Sequence, residues 1–191
     1  MTTESIRMLI REMLLTEAMF TPERAFEEGI TFKVTRTPFG KGGWDIMCFD
    51  SEGIRMGAVK IARPLGRGKC LDAYEVYNAV ARRDAKIGPL LYDIAMEISG
   101  ENGLMSDRGI VSKYAMNVWK YYLDNRTDVE HTQLDSSPGT ITPYDESDDC
   151  TQYSSKRDPV GWQNSALSKV YKKRGTPVID KLKELGIIEI M

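Results

Sequence analysis

The sequence holds one histidine, His131, among its 191 residues. A histidine-rich metal centre and a helical zinc-protease motif each need more than one imidazole, so both are excluded. Cysteine is scarce too. Cys48, Cys70 and Cys150 are odd in number and far apart, which argues against a disulfide framework and fits a reducing compartment. Cys48 and Cys70 read as buried or incidental thiols rather than nucleophiles, because only the remote His131 is there to activate them. No run approaches the roughly 18 apolar residues of a membrane span. An excess of one charge is missing as well. Lys and Arg number 26 against 28 Asp and Glu, for a net charge of -2, so no global field draws the chain to nucleic acid or to an anionic membrane. What is present is ordinary globular composition, 41% hydrophobic and 28% charged. The length suits one domain with an appendage.

The chain starts with an amphipathic segment. Ile6, Leu9, Ile10, Met13 and Leu14 recur at helical spacing, and Glu4, Arg7, Arg11 and Glu12 fill the other side. The charges interrupt what a secretory signal would need as an unbroken apolar stretch. One reading is a helix packed on the domain. Another comes from Leu15-Thr16-Glu17-Ala18, at the segment's end. It resembles the site where the prohead protease of large contractile-tailed phages cuts, after Leu-x-Glu and before a small residue, to remove a capsid-targeting peptide. The resemblance implies a removable leader over 1–17, with cleavage between Glu17 and Ala18. It also implies docking on the prohead core or scaffold, and a location inside the virion head, then in the host cytoplasm. An exposed helix with one apolar stripe suits such docking.

The next signals describe a core over 18–124. Thr21-Pro22-Glu23 opens a short helix that Gly29 closes. Ile30 to Val34 alternates as a strand. Trp44–Phe49 and Ile54–Ile61 flank Asp50-Ser51-Glu52-Gly53, a hairpin turn. Ala73–Ala81 reads as a fourth strand. A helix is predicted from Pro89 to Gly100, a short strand at Leu104-Met105, and a second helix from Ser112 bearing Ala115, Val118, Trp119 and Tyr122 on one face. This order predicts an α+β fold with a mixed, mostly antiparallel sheet flanked by helices.

Beyond Asp124 the character shifts, and 125–191 reads as an irregular acidic segment with a C-terminal helix-strand extension. Residues 124–158 hold nine acids against three bases. The run Asp145-Glu146-Ser147-Asp148-Asp149 lacks the glycine and distal glutamate of an EF-hand, so it reads as solvated surface, and no metal site is expected. Ser165–Lys173 reads as helical. A capped helix from Thr176-Pro177 to Gly186 and a strand at Ile187–Ile190 complete the chain.

The joint between the fourth strand and the helix after it carries Arg82, Arg83, Lys86, Gly88 and Pro89. Free helix N–H groups with nearby cations and a glycine suit a pyrophosphate. Together with Arg63, Arg67 and Lys69 these bases also spell a basic patch. Balancing acids and missing aromatic interleaving argue against nucleic acid.

From the hairpin strand Arg55–Lys60 to "AYEVYNAVARRDAKIGPLLYDIAMEIS" and "SKYAMNVWKYYL", the chain resembles the GNAT superfamily of acetyl-coenzyme A-dependent N-acetyltransferases. The resemblance spans about 30–124. The family's loop runs Gln/Arg-x-x-Gly-x-Gly/Ala; Arg83 and Gly88 match its ends, and Lys86 stands where its first glycine belongs. Ser112 and Trp119 replace a helical Asn and the Tyr that often serves as general acid. The resemblance implies acetyl-coenzyme A held by Arg83, Lys86 and Gly88. It implies a base, Glu75 or Asp45, and an acid, Tyr121 or Tyr122, to move the two protons of acetyl transfer. Read structurally instead, Glu75 is a solvent-facing strand residue and the tyrosines lie on a half-buried helix face. The expected function is a head-packaged acetyltransferase acting on an amine of a host or phage target. Two alternatives stand beside it: a non-catalytic virion protein with a degenerate fold, and a cytosolic acetyltransferase whose leader is only a docking helix.

Overall fold

The structure, a computed structural model, describes residues 20–37, 41–64, 72–82, 85–134 and 161–191. The expected leader, with Leu15, Glu17 and Ala18, lies outside them, as do Arg83 and the acidic run at 145–149.

Local chemistry starts each element. The Thr21 hydroxyl accepts the Arg24 amide at 3.2 Å, opening α1 (Pro22–Glu27) with Pro at its first position. β1 (Thr31–Thr37), β2 (Lys41–Phe49) and β3 (Arg55–Arg63) form an antiparallel meander. At its second turn Asp50 Oδ1 accepts the amides of Glu52 and Ile54, and Gly53 takes φ +77°, an Asx-type turn. β4 (Tyr74–Ala81) pairs antiparallel with β3. It leads to α2 (Gly88–Ser99), then β5 (Leu104–Met105) and α3 (Lys113–Asn125), whose cap Ser112 accepts the Ala115 amide at 3.2 Å.

Two sequence expectations need correcting here. Lys169–Lys173 is not helical but strand β7, preceded by a single 3-10 turn at Ala166–Ser168. The segment read as irregular contains β6 (Val129–Gln133), paired antiparallel with β7. Neither strand carries a strong local signal. β7 forms because its buried Val170 and Tyr171 fall between β5 and β6, where long-range pairing overrides local propensity. α4 (Pro177–Glu184) and β8 (Ile188–Ile190) then return the chain to β1.

The result is α+β, with one eight-stranded sheet in the order β6-β7-β5-β4-β3-β2-β1-β8. Pairing is antiparallel except at β4/β5 and β1/β8. α2 packs on the sheet with Leu90, Leu91, Ile94 and Ala95 buried against Ile46, Val59 and Ile61. Its approach is close: a Cβ on Gly57 of β3 would lie 3.0 Å from the Leu91 side chain and from the Val80 carbonyl. Among the described residues no helix is long and apolar enough to cross a membrane.

Candidate functional site

Among the described residues β4 is paired along most of its length on one edge only. Toward β3 its ladder runs from Glu75 to Ala81, and a register shift between Lys60 and Ile61 leaves Tyr77 as an extra residue. Such a bulge re-aims a strand. Toward β5 the pairing stops after Tyr74 and Glu75. From Tyr77 onward β4 is exposed. Beside this edge the first turn of α2 and the inner face of α3 enclose a groove.

The larger part of the groove is a 460 Å³ pocket walled by Ala79–Ala81, Gly88, Leu91, Tyr92, Ala115 and Val118. Its charged residues among those described are Arg82 and Lys86. Here α2 begins without a side-chain cap, with Ile87 as N-cap and Pro89 in its first turn. The helix dipole and the amides of that turn therefore add to the positive charge of Lys86. A Cβ on Gly88 would meet nothing within 4 Å, so its backbone stands open to a ligand. Lys86 takes φ +51°. A lysine thus holds the left-handed conformation that glycine adopts at no cost, which strains the loop beside the cationic end.

A smaller, 200 Å³ pocket continues from it along β4, sharing Ala79, Tyr92, Ser112 and Ala115. Among the described residues its charged lining residue is Asp107, and Tyr77, Trp119 and Ile110 are among its walls. Asp107 Oδ1 accepts the amides of Gly109 at 2.6 Å and Ile110 at 2.9 Å. Burial, with the negative charge of Asp107, pushes the Tyr92 phenol above its ordinary value.

The comparisons with known proteins find nothing. No family model matches this chain, and no curated protein or solved structure does. The site therefore stands on its own geometry.

Lys86 and Gly88 meet at the mouth of the larger pocket, together with Ala115 and Val118 from α3. Glu75, Tyr121 and Tyr122 line neither pocket. Glu75 is buried, not solvent-facing. Its Oε1 accepts the Arg108 amide at 2.7 Å, tying β4 to the segment after β5. Tyr122 is fully buried. Its hydroxyl donates to the Pro89 carbonyl at 2.9 Å, with Asp93 Oδ1 at 3.2 Å, and burial beside Asp93 pushes its phenol well above the ordinary value. It holds the first turn of α2 against α3. Tyr121 is half-buried, with its phenol raised by burial. Trp119 is sealed in a ring cluster, stacked on Tyr171 at 5.1 Å and edge-on to Tyr92 at 5.2 Å. Asp45 on β2 lies 3.3 Å from Lys60. Cys48 is buried, and desolvation pushes its thiol up to about 12, which disfavours the reactive thiolate.

Sequence reasoning missed Tyr92 and Asp107. Tyr92 falls outside the apolar stripe Leu90, Leu91, Ile94, Ala95, Ile98, and that offset was the only signal it gave. Asp107-Arg108-Gly109 carries a turn signature, but nothing local says that the turn faces a pocket.

Proposed function

We propose that the chain is a divergent acetyl-coenzyme A-dependent N-acetyltransferase. One observation carries the reading: among the described residues, a strand edge that β5 pairs only at Tyr74 and Glu75, a helix N-terminus without a side-chain cap and two cations converge on a single groove. An anion such as a pyrophosphate suits the α2 terminus with Lys86 and Arg82 around it. The edge of β4 beyond Glu75, which no described strand pairs, suits an extended, amide-bearing arm, which can take main-chain hydrogen bonds there as an added strand would. Acetyl-coenzyme A combines both features, and when bound it supplies an activated acetyl thioester for transfer to an amine.

The chain's own residues would then move two protons. The amine must lose one before it attacks, and the departing thiolate must gain one. Tyr92 lines both pockets and is held protonated by burial and by Asp107. It is better placed to donate than Tyr121 or Tyr122. Lys86, Arg82 and Gly88 bind and orient. Tyr122 and Glu75 position the walls from behind. The leader part of the reading, release after Glu17 inside a phage head, rests on Leu15-Thr16-Glu17-Ala18 alone.

A second reading, a non-catalytic virion protein with the same groove, is favoured by Trp119, which offers no hydroxyl and is locked among Tyr92, Tyr122 and Tyr171. The test is thermal unfolding of the full chain with and without millimolar acetyl-coenzyme A, with Lys86→Ala as control. Ligand at about a hundred times its Kd adds roughly 2.7 kcal/mol, or about 5–10 °C for a chain of this size. A shift that shrinks in the control supports binding at α2. Binding without transfer to any amine supports the second reading. No shift rejects the first.

A further inference from the structure

The sheet carries a second charged region, at the end away from the groove. In the sequence, residues 29–44 and 54–71 hold three and five bases and not one acid. Two of these bases are answered by acids from elsewhere. Lys33 lies 3.9 Å from Glu189, and Lys60 lies 3.3 Å from Asp45. Arg36 and Arg63 differ: among the described residues neither guanidinium has a carboxylate partner.

Each arginine rests instead on a ring from the next strand. Arg36 of β1 stands opposite Trp44 of β2, with its Cζ 3.6 Å from the ring centre. At that distance the guanidinium lies nearly flat, because an edge-on group would drive a nitrogen into the ring. One step past the Ala62–Glu75 pair, Arg63 of β3 meets Tyr74 of β4, 5.5 Å from its ring centre. The two pairs converge at Gly42. A Cβ there would have Arg36 Nη1 at 3.8 Å and the Tyr74 hydroxyl at 3.9 Å. Tyr74 is only 8% exposed, and its hydroxyl has no hydrogen-bond partner among the described residues. Strand pairing thus supplies the aromatic faces that the basic stretches do not show as a local pattern.

A guanidinium held on a ring has already lost much of its rotamer freedom. It keeps its N–H edges for a phosphate. Its outer face is flat and cationic, and an unpaired base can stack there as the next layer. Arg36 is exposed, so that face is open to solvent. A base inside a duplex is covered on both faces by its neighbours and cannot enter the stack.

We propose that this end of the sheet binds single-stranded nucleic acid, with a base stacked on Arg36 over Trp44 and phosphates held by Arg63 and the Tyr74 hydroxyl. The site does not depend on acetyl transfer. Tyr74 opens β4, and the larger part of the groove is walled by the other end of that strand.

Binding of the full chain to a labelled short oligothymidylate is followed by fluorescence anisotropy. An abasic strand of the same length and charge, the matching duplex and phosphatidylserine vesicles are measured beside it. The oligothymidylate should bind at least about tenfold tighter than the abasic strand or the duplex, and the vesicles should not bind. Arg36→Lys keeps the charge and removes the plane. It should bring the oligothymidylate down to the abasic level and leave the abasic strand unchanged. Arg63→Gln should weaken both strands and lower the salt slope by about 0.7. Neither arginine has an ion pair to lose, and thermal unfolding checks that both variants fold. Saturating acetyl-coenzyme A should not displace the strand. Equal binding of the oligothymidylate and the abasic strand, an Arg36→Lys variant that behaves as the parent, binding to vesicles in place of the strand, or displacement by acetyl-coenzyme A would each overturn the proposal. Strand binding by a chain that takes up no acetyl-coenzyme A would reject the acetyltransferase reading and support this one.

Discussion

Helix α2 borders two polar regions that are opposite in kind. On one side Asp93 and Glu97 meet Lys173, Arg126 and Asp128. Lys173 Nζ lies 2.7 Å from Glu97 and 3.7 Å from Asp93, and Arg126 binds Asp93 at 3.1 Å. Glu97 also accepts the Val178 and Ile179 amides that open α4, so one carboxylate neutralises a buried ammonium and caps a helix. Every group there is answered by another. On the other side, Gly88, Tyr92 and Lys86 line the groove, where the helix starts without a side-chain cap and no described strand pairs β4 beyond Glu75. Polar groups that close on each other hold a fold; polar groups left aimed at a cavity await a ligand.

The contrast predicts how each side answers mutation. The largest effect belongs to the closed side. Lys173→Met strands a fully buried carboxylate and should cost about 3–5 kcal/mol in urea unfolding. Adding Glu97→Leu should recover only part of this, because Val178 and Ile179 then lose their acceptor. A loss under about 1 kcal/mol for the single change would mean that the network is wetter than its burial suggests.

The same substitution made where β5 meets β7 and at the groove sharpens the comparison. Gly103 has φ +75°, and a Cβ there would sit 2.6 Å from Val170 Cγ2 and 3.0 Å from the Tyr171 carbonyl. Gly103→Ala should cost about 2–4 kcal/mol. Gly88→Ala meets open space and should be neutral or stabilise by about 0.4–1 kcal/mol. Equal costs would mean that the start of α2 is packed as closely as the β5–β7 contact.

Lys86→Gly tests whether strain in the groove is kept for binding. It should raise stability by about 1 kcal/mol while reducing the thermal shift from acetyl-coenzyme A. A variant gaining both would show that Lys86 contributes nothing to the ligand.

The smallest effect is set by pH. The Arg126 hydrogen bond holds the Asp128 carboxyl below its ordinary value. A depressed carboxyl adds stability above its unfolded pKa and loses it as pH falls through the folded one. The urea midpoint of Asp128→Asn should therefore lie below that of the parent near pH 6, and the two should converge toward pH 3. A constant gap would assign the effect to packing.

Where a signal is local, the sequence was readable. The capping hydroxyls of Thr21 and Ser112, the turn at Asp50 and the two-residue strand at Leu104-Met105 all stand where their residues suggest. So do Lys86 and Gly88 at the strand-to-helix joint. β6 and β7 were not readable. Val129–Gln133 is polar and largely exposed at the sheet edge, and Lys169–Lys173 is too short to show a period. Their pairing spans a long stretch of chain, and nothing within either segment encodes it. Glu75 looked like an outward strand residue because alternation cannot reveal that Arg108 returns across it.

The sequence by itself determined which residues begin and end most elements, since caps, turns and apolar periods act over a few neighbours. It also placed cations and a glycine at the start of α2. Only the tertiary structure decided that β4 would lose its partner after Glu75, that Asp107 and Tyr92 would meet beside it, and that Tyr122 would be buried behind the groove rather than within it. Those outcomes depend on where distant segments close together, and closure is set by the packing of the whole sheet.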